Sequence, residues 1–155
     1  MTPLMKDKAG SAYLWAVFIL LAMVMLAAVV YTGVGVYAKY QDAETELQRA
    51  AVVTVDGSME NAAVRDLVLD IPTSDAEELF YENLRELGYE QSGGDWAKRV
   101  DGKTVYTLTD LEVKTTGKTL MATAILSVPL LWEIGGSSTV RIPIKERSTI
   151  LYLEP

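Results

Sequence analysis

Residues 9–38 read AGSAYLWAVFILLAMVMLAAVVYTGVGVYA, thirty consecutive residues without a charged side chain. Their centre, Leu14 to Val30, has no polar side chain at all. About twenty apolar residues, rising ~1.5 Å each, cross a ~30 Å hydrocarbon core. This run is long enough to cross with some tilt and to continue beyond. Lipid offers the backbone no hydrogen-bond partner, so the segment must pair its own amides and be α-helical. A cleaved secretory signal would have a shorter apolar region, ~7–15 residues, closed by small residues. Ala27-Ala28 is the nearest such pair, and the apolar run continues past it. The expectation is therefore a retained, single-pass membrane helix over residues 11–38.

The flanks suggest its direction. Residues 1–10 hold Lys6 and Lys8, whereas Lys39, Asp42, Glu44, Glu46 and Arg49 follow the run. Positive side chains favour the cytoplasmic side, so residues 1–10 are read as a short basic leader or cytoplasmic tail, with the head outside. Tyr31, Tyr37 and Tyr40 suit a membrane interface. Gly33 and Gly35 are each ~1 kcal/mol worse than Ala within a helix. They mark either a helix hinge or a close approach to a neighbouring helix. Ala12 and Ala16, then Ala28 and Thr32, have the small-xxx-small spacing that lets helices pack closely.

Past the membrane segment the period persists. In QDAETELQRAAVVTV (Gln41–Val55), Ala43, Leu47, Ala50, Ala51 and Val55 recur at helical spacing. This predicts an amphipathic helical stalk over residues 39–56, broken by Asp56-Gly57. The remainder, residues 57–155, is read as an extracytoplasmic α+β head. Residues 59–71 are ambiguous, helix or coil first and then a short strand in VRDLVLDI. Ser74 and Glu77 form an S-x-x-E capping box opening a helix. Its stripe is Ala76, Leu79, Phe80, Leu84 and Leu87, and Gly88 suits a left-handed cap. The rest alternates as strands. Asp101-Gly102 signals a tight hairpin, Thr116-Gly117 a second, and PLLWEIGGSS a loop. Pro143 has no amide hydrogen, so the last strand should lie at an edge. The expected head is one helix packed on an antiparallel meander of about four strands.

Composition narrows the chemistry. The chain has 155 residues and a formal net charge of -7. Residues 1–40 carry Lys6, Lys8 and Lys39 against Asp7, a balance of +2, which leaves -9 for residues 41–155. An acidic head does not suit nucleic acid. There is no cysteine and no histidine, which removes disulfides, thiolates and the commonest general base. Ser137-Ser138 lacks an S-x-x-K partner. Glu77, Glu78 and Glu82 read as a solvated helical face. Asp66, Asp70 and Asp75 match no cation loop. Lys98, Arg99 and Lys103 beside Trp96 read as a solvated hairpin. The expectation is no enzyme, no cofactor and no metal.

The layout resembles the type IV pilin superfamily, and within it the TadE/TadG-like pseudopilins of tight-adherence pilus systems. The resemblance rests on Gly10-Ser11-Ala12 opening into the apolar run, on the Ala-rich QDAETELQRAAVV stalk, and on the paired strands of LMATAILSVPLLWEIGGSSTVRIPIKERSTILYLEP. DAEELFYENLREL also resembles a helix of such pilus proteins. The resemblance implies prepilin-peptidase cleavage between Gly10 and Ser11. It also implies contact with the pilus assembly machinery and with other pilin-like subunits through the N-terminal helix. Prepilins usually carry Glu five residues after the cleaved Gly, and here Trp15 stands there. In that family the carboxylate lies near the free amine of a neighbouring subunit, a lone charge in the membrane is costly without a partner, and Trp15 cannot play this part. A minor, capping or unprocessed pseudopilin fits this better than a bulk pilin. The other functional class is a single-pass, membrane-anchored binding or sensor domain that does not polymerise.

Overall fold

The computed structural model describes residues 8–65, 73–134 and 137–149. It contains helix α1 (Lys8–Arg65), helix α2 (Thr73–Glu86) and strands β1 (Tyr89–Ser92), β2 (Asp95–Val100), β3 (Lys103–Thr116), β4 (Thr119–Ile134) and β5 (Ser137–Thr149). The architecture is α+β: a long apolar N-terminal helix and a small head in which helix packs on antiparallel sheet. The chain divides into two units, residues 1–35 and 36–155.

In the second unit the five strands form one antiparallel sheet in the order β1-β2-β3-β4-β5. Side chains alternate across a strand, so each strand has an inner and an outer row. The inner row supplies Tyr89, Trp96, Tyr106, Leu108, Val113, Leu120, Ala122, Ala124, Leu126, Val128 and Ile144, all buried. Two helical stripes share this core: Ala43, Leu47, Ala50, Ala51 and Val55 of α1, and Ala76, Phe80 and Leu84 of α2. Each buried Leu or Phe contributes roughly 1.5–3 kcal/mol by leaving water. The hairpin turns follow their residues. Asp101 and Gly102 both have positive φ, 52° and 75°, as the tight turn between β2 and β3 requires. Gly88 ends α2 at φ 85°.

The structure corrects several expectations. Helix α1 does not break at Asp56-Gly57; it continues through both to Arg65. A Cβ built on Gly57 would lie 3.0 Å from Leu79 Cδ2, so here glycine makes room for α2. The strand expected in VRDLVLDI begins with Val64 and Arg65, which are helical, and the rest lies outside the described residues. Helix α2 starts at Thr73, so Ser74 sits inside its first turn rather than at the cap. Its hydroxyl donates to Asp75 Oδ1 at 3.1 Å, and Glu77 accepts from the Tyr81 hydroxyl at 2.9 Å. The sheet has five strands because Tyr89–Ser92 pairs with Asp95–Lys98 around Gly93-Gly94. PLLWEI continues β4 instead of looping, and Ile134 pairs with Ser137. Asp110, at φ 52°, makes a bulge between Thr109 and Glu112. That extra residue moves the inward row of β3 from Tyr106 and Leu108 to Val113.

Candidate functional site

Two stretches of α1 carry the features that bear on function, and each is taken within its own unit. Between Tyr13 and Val34 the large apolar side chains are exposed, Val17 by 64 % and Phe18 by 69 %. None of the most apolar part of the helix is covered by protein. Among the described residues α1 is the one helix long and apolar enough to cross a membrane. In water an uncovered apolar surface of this extent is unfavourable by ~25 cal/mol per Å², and hydrocarbon removes that penalty.

The candidate positions named from sequence fall as follows. Gly10 and Ser11 lie in the first turns of α1. Ala12 and Ala16 are exposed, and Ala28 and Thr32 are half-buried. The Thr32 hydroxyl donates to the Ala28 carbonyl at 2.9 Å, so it is satisfied within its own helix. Sixteen residues separate Ala12 from Ala28, which at about 100° per residue turns the two pairs about 160° apart. They therefore do not share a face, and two neighbours would be needed to use both. Gly33 and Gly35 are helical, with nothing within 4 Å of an added Cβ.

In the second unit, α1 is fastened to the sheet by a polar cluster. Glu46 stands one helical turn from Ala43 and Ala50, at the border of the buried stripe. Its carboxylate accepts hydrogen bonds from the Tyr89 hydroxyl at 2.7 Å and the Tyr106 hydroxyl at 2.9 Å. Lys98 Nζ donates to it at 2.6 Å and also to the Leu87 carbonyl. The two hydroxyls lie 3.1 Å apart, and Lys98 lies 5.0 Å from the Tyr89 ring centroid. One carboxylate thus ties α1 to β1, β2 and β3. Burial first, and then the neighbouring hydroxyl and Glu46, drive the Tyr89 phenol far above its usual range. Burial and the Glu46 charge raise Tyr106 as well. Both remain neutral donors at physiological pH.

Smaller ties complete the seat. Asn83 Nδ2 donates to Thr54 Oγ1 at 3.0 Å, joining α2 to α1 where both are buried. Tyr81 stacks on Trp96, and burial together with Glu77 pushes its phenol up to about 12. Glu146 of β5 is raised by burial and by Glu44 of α1. Among the described residues no buried side-chain nitrogen or oxygen lacks a partner, and no group of three acidic side chains gathers for a metal. Of Asp66, Asp70 and Asp75, the first two lie outside the described residues.

The cluster escaped the sequence reading. From sequence, Glu46 is one of the charges that follow the apolar run, and Lys98 belongs to a solvated hairpin beside Trp96. That hairpin is not solvated throughout, since Trp96 is buried and Lys98 turns inward. Arg99 turns outward to Glu90 at 2.9 Å. A readable signal was present: Lys98 stands two residues after Trp96, on the same inward row of β2. No protein family, no curated protein and no solved structure matches this chain.

Proposed function

We propose that the protein is a membrane-anchored, pilin-like assembly subunit, of the minor or capping kind, in a type IV-like surface pilus. Its apolar helix segment holds it in the bilayer with the N-terminus in the cytoplasm, and contacts the equivalent helices of other subunits. Its head lies outside. One observation carries this reading. A single helix of 58 residues begins as an uncovered apolar surface and ends as part of the head's own core. An independently tethered domain would be joined to its anchor by a polar linker, whereas here the anchor and a core element are the same helix. The opposed small-residue pairs suit a helix flanked by more than one neighbour.

Mass spectrometry of the mature N-terminus tests it first. A chain beginning at Ser11 supports processing by a prepilin peptidase, and one beginning at Met1 supports an unprocessed subunit. A chain beginning near Val29 overturns the reading, because the anchor has then been removed. Since the chain has no cysteine, single-cysteine variants Ala16→Cys and Ala28→Cys report helix contacts cleanly. Disulfide-linked species in native membranes are expected from both. Their absence from both leaves a solitary anchored binding domain, the competing reading.

A further inference from the structure

The outer face of the sheet carries a charge opposite to that of its domain. On β5, Arg141, Lys145 and Arg147 are exposed on the same side, while Ile144 points into the core. The register sets Arg141 beside Ser127, Lys145 beside Thr123 and Arg147 beside Met121, so no carboxylate neighbours them on β4. One strand further, Glu112 is held by Lys114 at 2.7 Å. Lys98 pairs with Glu46 and Arg99 with Glu90, and among the described residues none of the three β5 cations is in an ion pair. Among the described residues β5 bonds only to β4, so it is an edge strand.

Helix α2 presents the complement. Asp75, Glu78, Glu82 and Glu86 are exposed and fall within about 80° of one another on an ideal helix, away from Ala76, Phe80 and Leu84, with one cation, Arg85, at the rim beside the Trp96 ring. None of the four is in an ion pair among the described residues. The basic row runs over seven residues of strand, Arg141 to Arg147, ~20 Å, and the acidic row over twelve residues of helix, Asp75 to Glu86, ~16 Å. Two rows of similar length and opposite sign therefore sit on different elements of one domain.

We propose that the basic outer face of β5 receives the acidic face of α2 from a second copy of this chain. Such a contact is head-to-tail and needs no two-fold axis: one copy offers β5 and its neighbour α2, so that a minor subunit can sit as a pair or short run of copies. This rests on the assembly reading above and names the head surface through which copies meet. Charged residues and proline on an edge strand also guard against strand addition. A guard works with either sign of charge, whereas docking requires the positive one, and that difference makes the two separable.

The test uses the full chain in liposomes, with heads labelled for energy transfer between copies. Arg141→Glu/Lys145→Glu/Arg147→Glu should lower the transfer at least ~10-fold, since like charges then face each other. Asp75→Lys/Glu78→Lys/Glu82→Lys should do the same. An equal mixture of the two variants should regain it, which also shows that both still fold. In the native chain, zero-length carbodiimide coupling should join Lys145 to Glu78 or Glu82 between isotopically distinct copies. Unchanged transfer in the variants, or no recovery on mixing, overturns the proposal. So does binding of the native head to phosphatidylglycerol vesicles through these cations without inter-copy coupling. If the Ala28→Cys disulfide persists while head coupling is absent, the assembly reading stands and this contact alone falls.

Discussion

At the scale of single residues, Glu46 is the most consequential polar side chain described. Replacing it by alanine leaves the half-buried Lys98 ammonium and two phenols without their acceptor, at an expected loss of about 2–3 kcal/mol in chemical denaturation. Adding Lys98→Met should return part of that loss, because the stranded charge is gone. The phenols give a pH signature. Folding holds the protons of Tyr89 and Tyr106 where the unfolded chain sheds them near pH ~10. Their contribution is thus complete below that pH and lost as the pH rises further. Ultraviolet titration should show these two ionising only together with unfolding. Glu146 behaves in the opposite sense to a salt-bridged carboxylate. Its folded form holds the proton more tightly, so its ionisation opposes folding as the pH rises through the shifted value. Glu146→Gln should therefore melt higher than the native chain at neutral pH and equal to it at pH ~3, below the ordinary carboxylate range.

At the scale of elements, Gly57 shows why a residue's usual meaning can mislead. Asp-Gly commonly ends a helix, and from sequence it looked like the end of the stalk. An added Cβ would press on the Leu79 methyl of another element, a contact that no local pattern reveals. Gly57→Val should push α2 outward and destabilise the head by roughly 1–3 kcal/mol, and Phe80→Ala by roughly 3–5 kcal/mol. Both are readable by thermal melting. What was legible had a strong period or a turn with a steric demand: the uncharged run, the Leu47 and Phe80 stripes, Gly88, and Asp101-Gly102. What was not legible depended on partners far along the chain. The bulge at Asp110 exists because β3 must offer Tyr106, Leu108 and Val113 to the same core. β1 was obscured because a four-residue strand next to two glycines reads as loop.

At the scale of the whole molecule, the apolar part of α1 dominates handling. Alkaline carbonate washing of membranes should leave the full chain in the pellet, whereas a variant lacking residues 1–38 should appear in the supernatant. Appearance of the intact chain in the supernatant would contradict the anchor. The sheet has a temporal consequence as well. Every strand bonds to its successor in the sequence, so the sheet grows in one direction as the nascent chain lengthens. The α1 stripe around Leu47 is made first, and Leu120 to Val128 on β4, which belong to the same core, are made late. Until that strand arrives, the translated polypeptide displays a greasy ridge that chaperones can hold. Completing β4 is the step that fills out the shared core, so a product terminated before it keeps apolar side chains in water that proteases can recognise.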